Sequence, residues 1–477
     1  MKSVINTLSK TNIILFFSLL VLISCGNRNV KNNDVTKTIT KVALPKKFTA
    51  GDLSEHISCV DDAAISFALY MPSTYKEGEK LPLLILFDPH GDPLFPINKY
   101  KLLADKHHFM LMGSNDSKNG NATELTAHII QLMAQSAYSL LPVDSNRVYS
   151  GGFSGGARIA ALLAFSPSGI QGLVTCGAGF PIYQWNQPIP SVICAIANDG
   201  DMNLPEINNL KSNDPVKAGR LLTFRNKGKH EWPSSEVFEE VFLAFNAFAC
   251  RDQILTLTND QKKLLNDDYY AIDKNKLYAA NPIYKAFFYE RWIKAMDRIA
   301  NVDEIKKKYI ALKSSPALQT AINYEQQLIK QETDIKDGYY KSMGSRDTIW
   351  WKNEMDKLGQ SIAVSYDELK KSQLERIRGG LSLMCYMNLD KTLKAGARDS
   401  YIYLSALYRF IDPENSEAWI LSSQIAAKEN KNVECSNYFS QAIKMGYKDG
   451  TRIYNTADFG LMMSDLRFQQ LLNSIPR

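Results

Sequence analysis

Arg147-Val148-Tyr149-Ser150-Gly151-Gly152-Phe153-Ser154-Gly155-Gly156-Ala157-Arg158-Ile159-Ala160 decides how this chain is read. A short strand-like run meets a cluster of glycines and passes into an alanine-rich helical stretch. The pattern Gly152-x-Ser154-x-Gly156 fits a sharp strand-to-helix turn that lifts one hydroxyl above a sheet. Glycines two residues to either side let neighbouring backbone pass without a Cβ clash. The N-terminus of the following helix favours negative charge developing beside the hydroxyl. Glycine at about 7% of residues would produce roughly 0.1–0.2 such patterns by chance in a chain with this many serines. Placement between strand and helix therefore carries more weight than the pattern. The plain alternative is a glycine-rich turn with an inert serine.

Outward from this segment, residues 60–250 alternate between short apolar runs and helical stretches. Ala64–Tyr70 alternates like an edge or antiparallel strand. Leu81–Phe87, Phe109–Gly113, Arg147–Ser150, Gly172–Cys176, Ser191–Ala197 and Arg220–Phe224 are buried-strand candidates. Thr123–Leu141, Gly155–Ala164 and Glu236–Ala249 are helical. The alternation predicts an α/β fold, a doubly wound, mostly parallel sheet with helices on both faces. Function in such sheets gathers beyond the carboxyl ends of the strands. Two of the ends that follow the serine carry an acid and a histidine. The 191–197 run ends in Asn198-Asp199-Gly200-Asp201-Met202-Asn203, and the next ends in Arg225-Asn226-Lys227-Gly228-Lys229-His230-Glu231-Trp232-Pro233. A serine, then an acid, then a histidine, each after its own strand, is an arrangement for nucleophilic catalysis. Asp199 and Asp201 both stand open as the acid.

These residues resemble the α/β-hydrolase superfamily, whose triad runs in the order Ser, acid, His. The closest resemblance is to its secreted polyhydroxybutyrate-depolymerase and feruloyl- or acetyl-esterase branch. There a Gly-x-His-x-Trp-Pro-like segment carries the histidine, as Gly228–Pro233 does here. The resemblance covers roughly residues 60–250. It implies Ser154 as nucleophile, His230 as base and an acid in the 198–203 loop. The branch often reads Gly-x-x-Asp followed by an aromatic–Asn pair, which favours Asp201 over Asp199 and makes the loser a solvated carboxylate. It also implies an oxyanion site from the backbone N–H of Gly155 and of a His-Gly loop after the third strand. Here that loop is Phe87-Asp88-Pro89-His90-Gly91-Asp92. The Asp-Pro departs from the pattern, so Gly91 and Asp92 remain alternative donors, and His90 is expected to be structural. The implied chemistry is carboxylic-ester hydrolysis through an acyl-enzyme, with no cofactor. The rivals are a peptidase on the same fold and a binding protein built on a dead hydrolase scaffold.

The rest of the chain places this unit. Of 477 residues, 45% are hydrophobic and 22% charged, which excludes global disorder, a collagen-like rod and a polytopic membrane protein. The net charge of +6 is small and scattered, giving no case for nucleic-acid binding. Ile13–Ile23 is an eleven-residue run, apolar but for Ser18, behind Lys2 and Lys10 and too short to span a bilayer. With Leu22-Ile23-Ser24-Cys25-Gly26 it resembles a bacterial lipoprotein signal. That implies a signal peptide over 1–24, lipid on Cys25, a flexible tether over 25–50, and a lipid-anchored protein of the cell envelope. Its hydrolase domain would span 51–250.

Residues 251–395 read as helical, with Tyr289, Trp292, Ile293 and Met296 forming a stripe expected in a core. In 396–477, Pro413, Trp419, Cys435, Phe439 and Ala442 are spaced as in a tetratricopeptide repeat, on helices 416–429 and 433–444. This all-α, repeat-like region is either a partner platform or a cap on the hydrolase. Metal binding is not expected. His107 and His108 are adjacent rather than four apart, and no cysteine pair has zinc-site spacing. Cys176 and Cys194 are expected as buried free thiols. Gly113–Gly120 is expected at the site rim, either touching substrate or as a plain cluster of polar turns. The anchoring expectation is checked by Cys25→Ala: the variant should lose incorporation of a lipid probe and leave the membrane fraction, whereas unchanged labelling and retention exclude Cys25 as the anchor.

Overall fold

The computed structural model describes residues 48–180, 189–212, 219–275, 278 and 281–475. The expected signal, Cys25 and most of the tether lie outside the described residues. The strands are β1 (Leu53–Ser58), β2 (Ser66–Tyr70), β3 (Leu81–Phe87), β4 (Met110–Ser114), β5 (Val143–Phe153), β6 (Gly172–Cys176), β7 (Val192–Asn198) and β8 (Leu221–Asn226). They form one sheet in the order β1-β2-β4-β3-β5-β6-β7-β8. The first two pairings, β1 with β2 and β2 with β4, are antiparallel, and those from β4 to β8 are parallel. The first helices are α1 (Leu94–His107), α2 (Thr123–Leu140), α3 (Gly155–Ala164), α4 (Leu204–Ser212) and α5 (Ser235–Arg251).

Alternation along the strands builds two cores. Leu84 and Leu86 of β3 join α1 and α5 on one face, while Leu83 and Ile85 join α2, α3 and α4 on the other. Both faces of the sheet are thus covered, which is why its strands read as continuous apolar runs. The doubly wound, mostly parallel sheet expected from the sequence is present. The sequence reading omitted β1, whose residues are mostly exposed at the sheet edge.

After residue 250 the chain is helical: α6 (Asn259–Asp273), α7 (Pro282–Met296), α8 (Asp303–Lys313), α9 (Pro316–Ser342), α10 (Thr348–Val364), α11 (Glu368–Lys394), α12 (Arg398–Ile411), α13 (Ser416–Lys428), α14 (Asn432–Lys444), α15 (Gly450–Asn455) and α16 (Leu466–Asn473), with a 3₁₀ turn at Ala457–Ser464. The core does not stop at the expected boundary. Leu265, Tyr269, Phe288, Trp292, Met296 and Ile305 share one apolar cluster with the sheet and α5. Helices α6 to α8 therefore share the covering of the sheet with α5. Two further clusters organise the remainder, one centred on Trp351, Ile377 and Leu407, the other on Cys435, Phe439 and Phe468. Helices α13 and α14 coincide with the two expected repeat helices to within a residue or so at each end. Cys435, Phe439 and Ala442 are buried there, and Trp419 donates to Pro413 O at 2.8 Å.

The adjacent histidines separate completely. His108 takes a left-handed conformation at the end of α1 and bonds Thr74 Oγ1 at 2.7 Å. His107 is buried against the Phe242 ring, and burial, helped by Lys106, pushes its pKa down from 6.5 to about 4. The unfolded chain therefore takes up this proton first as pH falls. Stability held above 6.5 is lost as pH drops through about 4. His107→Phe should flatten that loss by up to roughly 3 kcal/mol, measured by denaturant unfolding at pH 7 and at pH 4.5. Parallel pH profiles for parent and variant rule His107 out as the source.

Candidate active site

Ser154 sits between β5 and α3 at φ 52° and ψ −119°, a left-handed conformation that costs a non-glycine residue about 1–3 kcal/mol. Close packing holds it there. A Cβ on Gly156 would lie 2.0 Å from Phe87 O, and one on Gly152 2.3 Å from Gly156 O. Only glycine fits at either position. The Ser154 N–H donates to Cys176 O at 2.8 Å, tying the turn to the end of β6. Gly155 opens α3, where its N–H has no acceptor within the helix.

The ends of β7 and β8 bring two more side chains to this hydroxyl. His230 Nε2 is 2.9 Å from Ser154 Oγ, and His230 Nδ1 is 2.9 Å from Asp201 Oδ1. Both bonds are satisfied when Nδ1–H donates to the carboxylate and the serine O–H donates to Nε2. Asp201 is fully buried, His230 about a quarter exposed. Asp201 Oδ1 also accepts from the Asn203 N–H at 2.8 Å, while the Asn203 amide donates to Gly177 O at 2.8 Å. The Phe153 ring lies against the His230 imidazole, centroids 4.6 Å apart. The structure thus brings Ser154, His230 and Asp201 into one hydrogen-bonded line.

Asp199 is not the solvated carboxylate expected of the other acid. It is buried and ion-paired to Arg225 at 2.5 Å, and it accepts from the Tyr284 hydroxyl at 2.8 Å. Burial works against the Arg225 charge, but Asp199 and Glu325 more than offset it and raise the guanidinium pKa. The sequence reading missed this because Arg225 and Tyr284 lie 26 and 85 residues away.

The Asp-Pro departure in the loop after β3 has a structural role. Asp88 Oδ1 accepts from the His90 N–H at 2.8 Å, and Asp88 Oδ2 from the Trp232 indole at 2.9 Å. One buried carboxylate thereby links the 88–92 loop to the histidine loop. The Gly91 N–H donates to Asp88 O at 3.2 Å. The His90 side chain is 82% exposed, with Nδ1 3.4 Å from Asp88 Oδ1. Its hydrogen bond to Asp88 raises its pKa. In the rim segment, Asn119 Oδ1 would lie 1.9 Å from a Cβ on Gly155, beside the serine. The Asn119 N–H donates to Pro89 O at 2.8 Å and joins the two rim loops. Asn119 was legible only as part of a polar rim.

Cys176 and Cys194 are buried free thiols on the core side of β6 and β7, and burial pushes both pKa values up. Among the described residues no group of three His, Cys, Asp or Glu side chains could hold a metal ion.

No protein-family model matches the chain, and no curated protein matches it. Solved structures do. Esterase 2 of Thermogutta terrifontis, phosphorylated by paraoxon, is 12% identical, covering 43% of this chain and 96% of that one with a TM-score of 0.33. A Rhizomucor miehei esterase is 13% identical over 45% of this chain and 85% of its own, TM-score 0.34. The acylaminoacyl peptidase of Pyrococcus horikoshii is 11% identical over 43% of this chain and 41% of its own, TM-score 0.32. Similarity at this level assigns neither family nor activity; what bears on function is the geometry around Ser154.

The two aspartates should separate in stability. Asp199→Asn weakens the pairing of a buried guanidinium and should cost about 3 kcal/mol. Asp201→Asn should cost less, about 1 kcal/mol, since its partners are an imidazole and the Asn203 N–H, with no guanidinium beside it. Urea unfolding of the two variants checks this, and equal losses contradict it.

Proposed function

We propose that this chain is a serine hydrolase of the α/β-hydrolase type, acting on carboxylic esters through an acyl-enzyme. The observation that carries the reading is the unbroken line from Ser154 Oγ through His230 to Asp201, with 2.9 Å at each step. A serine hydroxyl is a weak nucleophile at its own pKa and needs an adjacent base. His230 takes the proton as Ser154 attacks the carbonyl, then returns it to the leaving alcohol. Asp201 fixes the tautomer and stabilises the imidazolium. Water, activated by the same histidine, releases the acid. The oxyanion is held by the Gly155 N–H and by the loop after β3. There Asp92 is the better donor, since the Gly91 N–H donates to Asp88 O.

The reading extends to the chain as a whole. Cys25 carries a lipid anchor that places the hydrolase at the cell envelope, on a tether over 25–50. No described helix is long and apolar enough to cross a membrane. The substrate is a small or sugar-linked ester. Residues 396–477 are a tetratricopeptide-like platform open to a protein partner.

The test is fluorophosphonate labelling of the full chain, which reports an activated serine, alongside turnover of p-nitrophenyl acyl esters and of acetylated or feruloylated glycans. Labelling should vanish in Ser154→Ala. His230→Ala should lose most turnover, with the double variant hardly worse, because the two act as a unit. Asp201→Asn should lose up to about 10⁴-fold in kcat. A folded parent that takes no label points instead to a binding protein on a dead scaffold, and preferential cleavage of acyl-amides to a peptidase.

A further inference from the structure

The loop that carries Asp201 is held from a part of the chain with no strand in it. The peptide unit joining Asp199 to Gly200 is gripped at both ends. Its N–H donates to Gly228 O at 2.9 Å, in the loop that carries His230. Its carbonyl accepts from Arg376 Nη1, in the middle of α11. Arg376 is itself fixed: Nε and Nη2 both reach Glu332 Oε2 at 2.8 Å, and Glu332 also binds Lys336 at 2.6 Å, on α9. Helix α11 lies directly on the loop. A Cβ on Gly200 would come within 3.2 Å of Glu375 Cβ and 2.8 Å of Gly228 O, and one on Gly379 within 3.0 Å of Met202 Sδ.

We infer that Arg376 is a positioning residue of the active site, and that α11 and α9 complete the triad by fixing the orientation of the Asp199–Gly200 peptide. The inference rests on the reading of Ser154, His230 and Asp201 as a triad. A rotation of that peptide moves Asp201, the next residue, relative to His230, and the same rotation pulls on the histidine loop through Gly228.

Tyr284 of α7 also reaches this loop, but at the Asp199 carboxylate and not at the peptide, and the remaining ion pairs of the helical region with these loops are exposed. Lys227–Glu368, Lys229–Glu375, Lys229–Glu414 and Lys118–Asp449 are 2.8–3.9 Å pairs, each with at least one partner more than 45% exposed. Such pairs contribute little and are screened by salt. Arg376 and Glu332 are 5% and 6% exposed, and breaking such a pair on one side leaves a buried charge uncompensated.

Displacing a reacting group by about 1 Å can cost about 10²-fold in rate. The experiment compares the full chain with Arg376→Met, Arg376→Lys and Glu332→Gln. Each protein is labelled to completion with fluorophosphonate to count sites, and kcat and KM for p-nitrophenyl acetate are expressed per site. Arg376→Met should lose about 10- to 100-fold in kcat with KM nearly unchanged. Arg376→Lys should recover part of the loss, since it keeps a cationic donor. Glu332→Gln, which leaves Arg376 in place but weakens its anchor, should fall in the same direction by less. Parental kcat per site in folded Arg376→Met, even with a lowered melting temperature, overturns the inference and leaves Arg376 a stability residue. If Arg376→Met does not fold, Glu332→Gln decides by the same measure. A parent that takes no label overturns the triad reading itself, which is a separate outcome.

Discussion

The backbone of Ser154 is the constraint on which the site depends. At φ 52° it occupies a conformation that the chain would leave if it could. It stays because β5 is a central strand of the sheet and because the Phe87 carbonyl fills the space a side chain on Gly156 would need. The strain is small beside the apolar packing of the sheet on both faces, so the fold can hold a hydroxyl out of a relaxed turn. The acid and the histidine then need only be delivered by neighbouring strand ends. Parallel pairing does that, since β7 and β8 end on the same side of the sheet as β5.

The two aspartates of one loop show how environment divides identical side chains. Asp199 faces a guanidinium and a phenol and is used for structure. Asp201, two residues on, faces an imidazole that is itself within reach of a serine. The intervening Gly200 lets the chain pass between the histidine loop and α11.

Legibility from sequence followed the range of the interactions involved. β3, β6 and α3 could be bounded to the residue, because continuous apolar runs and a glycine-punctuated turn are local signals. The chain order of Ser154, Asp201 and His230 was likewise readable. β1 was not, because an exposed edge strand has little apolar pattern to show. The burial of Asp199, the use of Asp88 by Trp232 and the grip of Arg376 all join residues more than 25 positions apart, and no local periodicity encodes them. The packing of residues 265–305 with the sheet was hidden for the same reason: a composition change marks where strands end, not which helices share their apolar cluster.

The bond from Arg376 to Asp199 spans 177 residues, and that separation has a consequence in time. Synthesis proceeds from the N-terminus at about 5–20 residues per second. The sheet, the serine turn and the histidine loop are all in hand long before α11 exists. During that interval the acid loop has its anchor on Arg225 but not the one on Arg376. Closing so long a connection is also among the slower events available to a folding chain. A ribosome-bound or prematurely terminated chain that stops before α11 therefore carries Ser154, Asp201 and His230 without the bond from Arg376 to the acid loop. The appearance of α11, after the sheet is complete, supplies the last of these anchors.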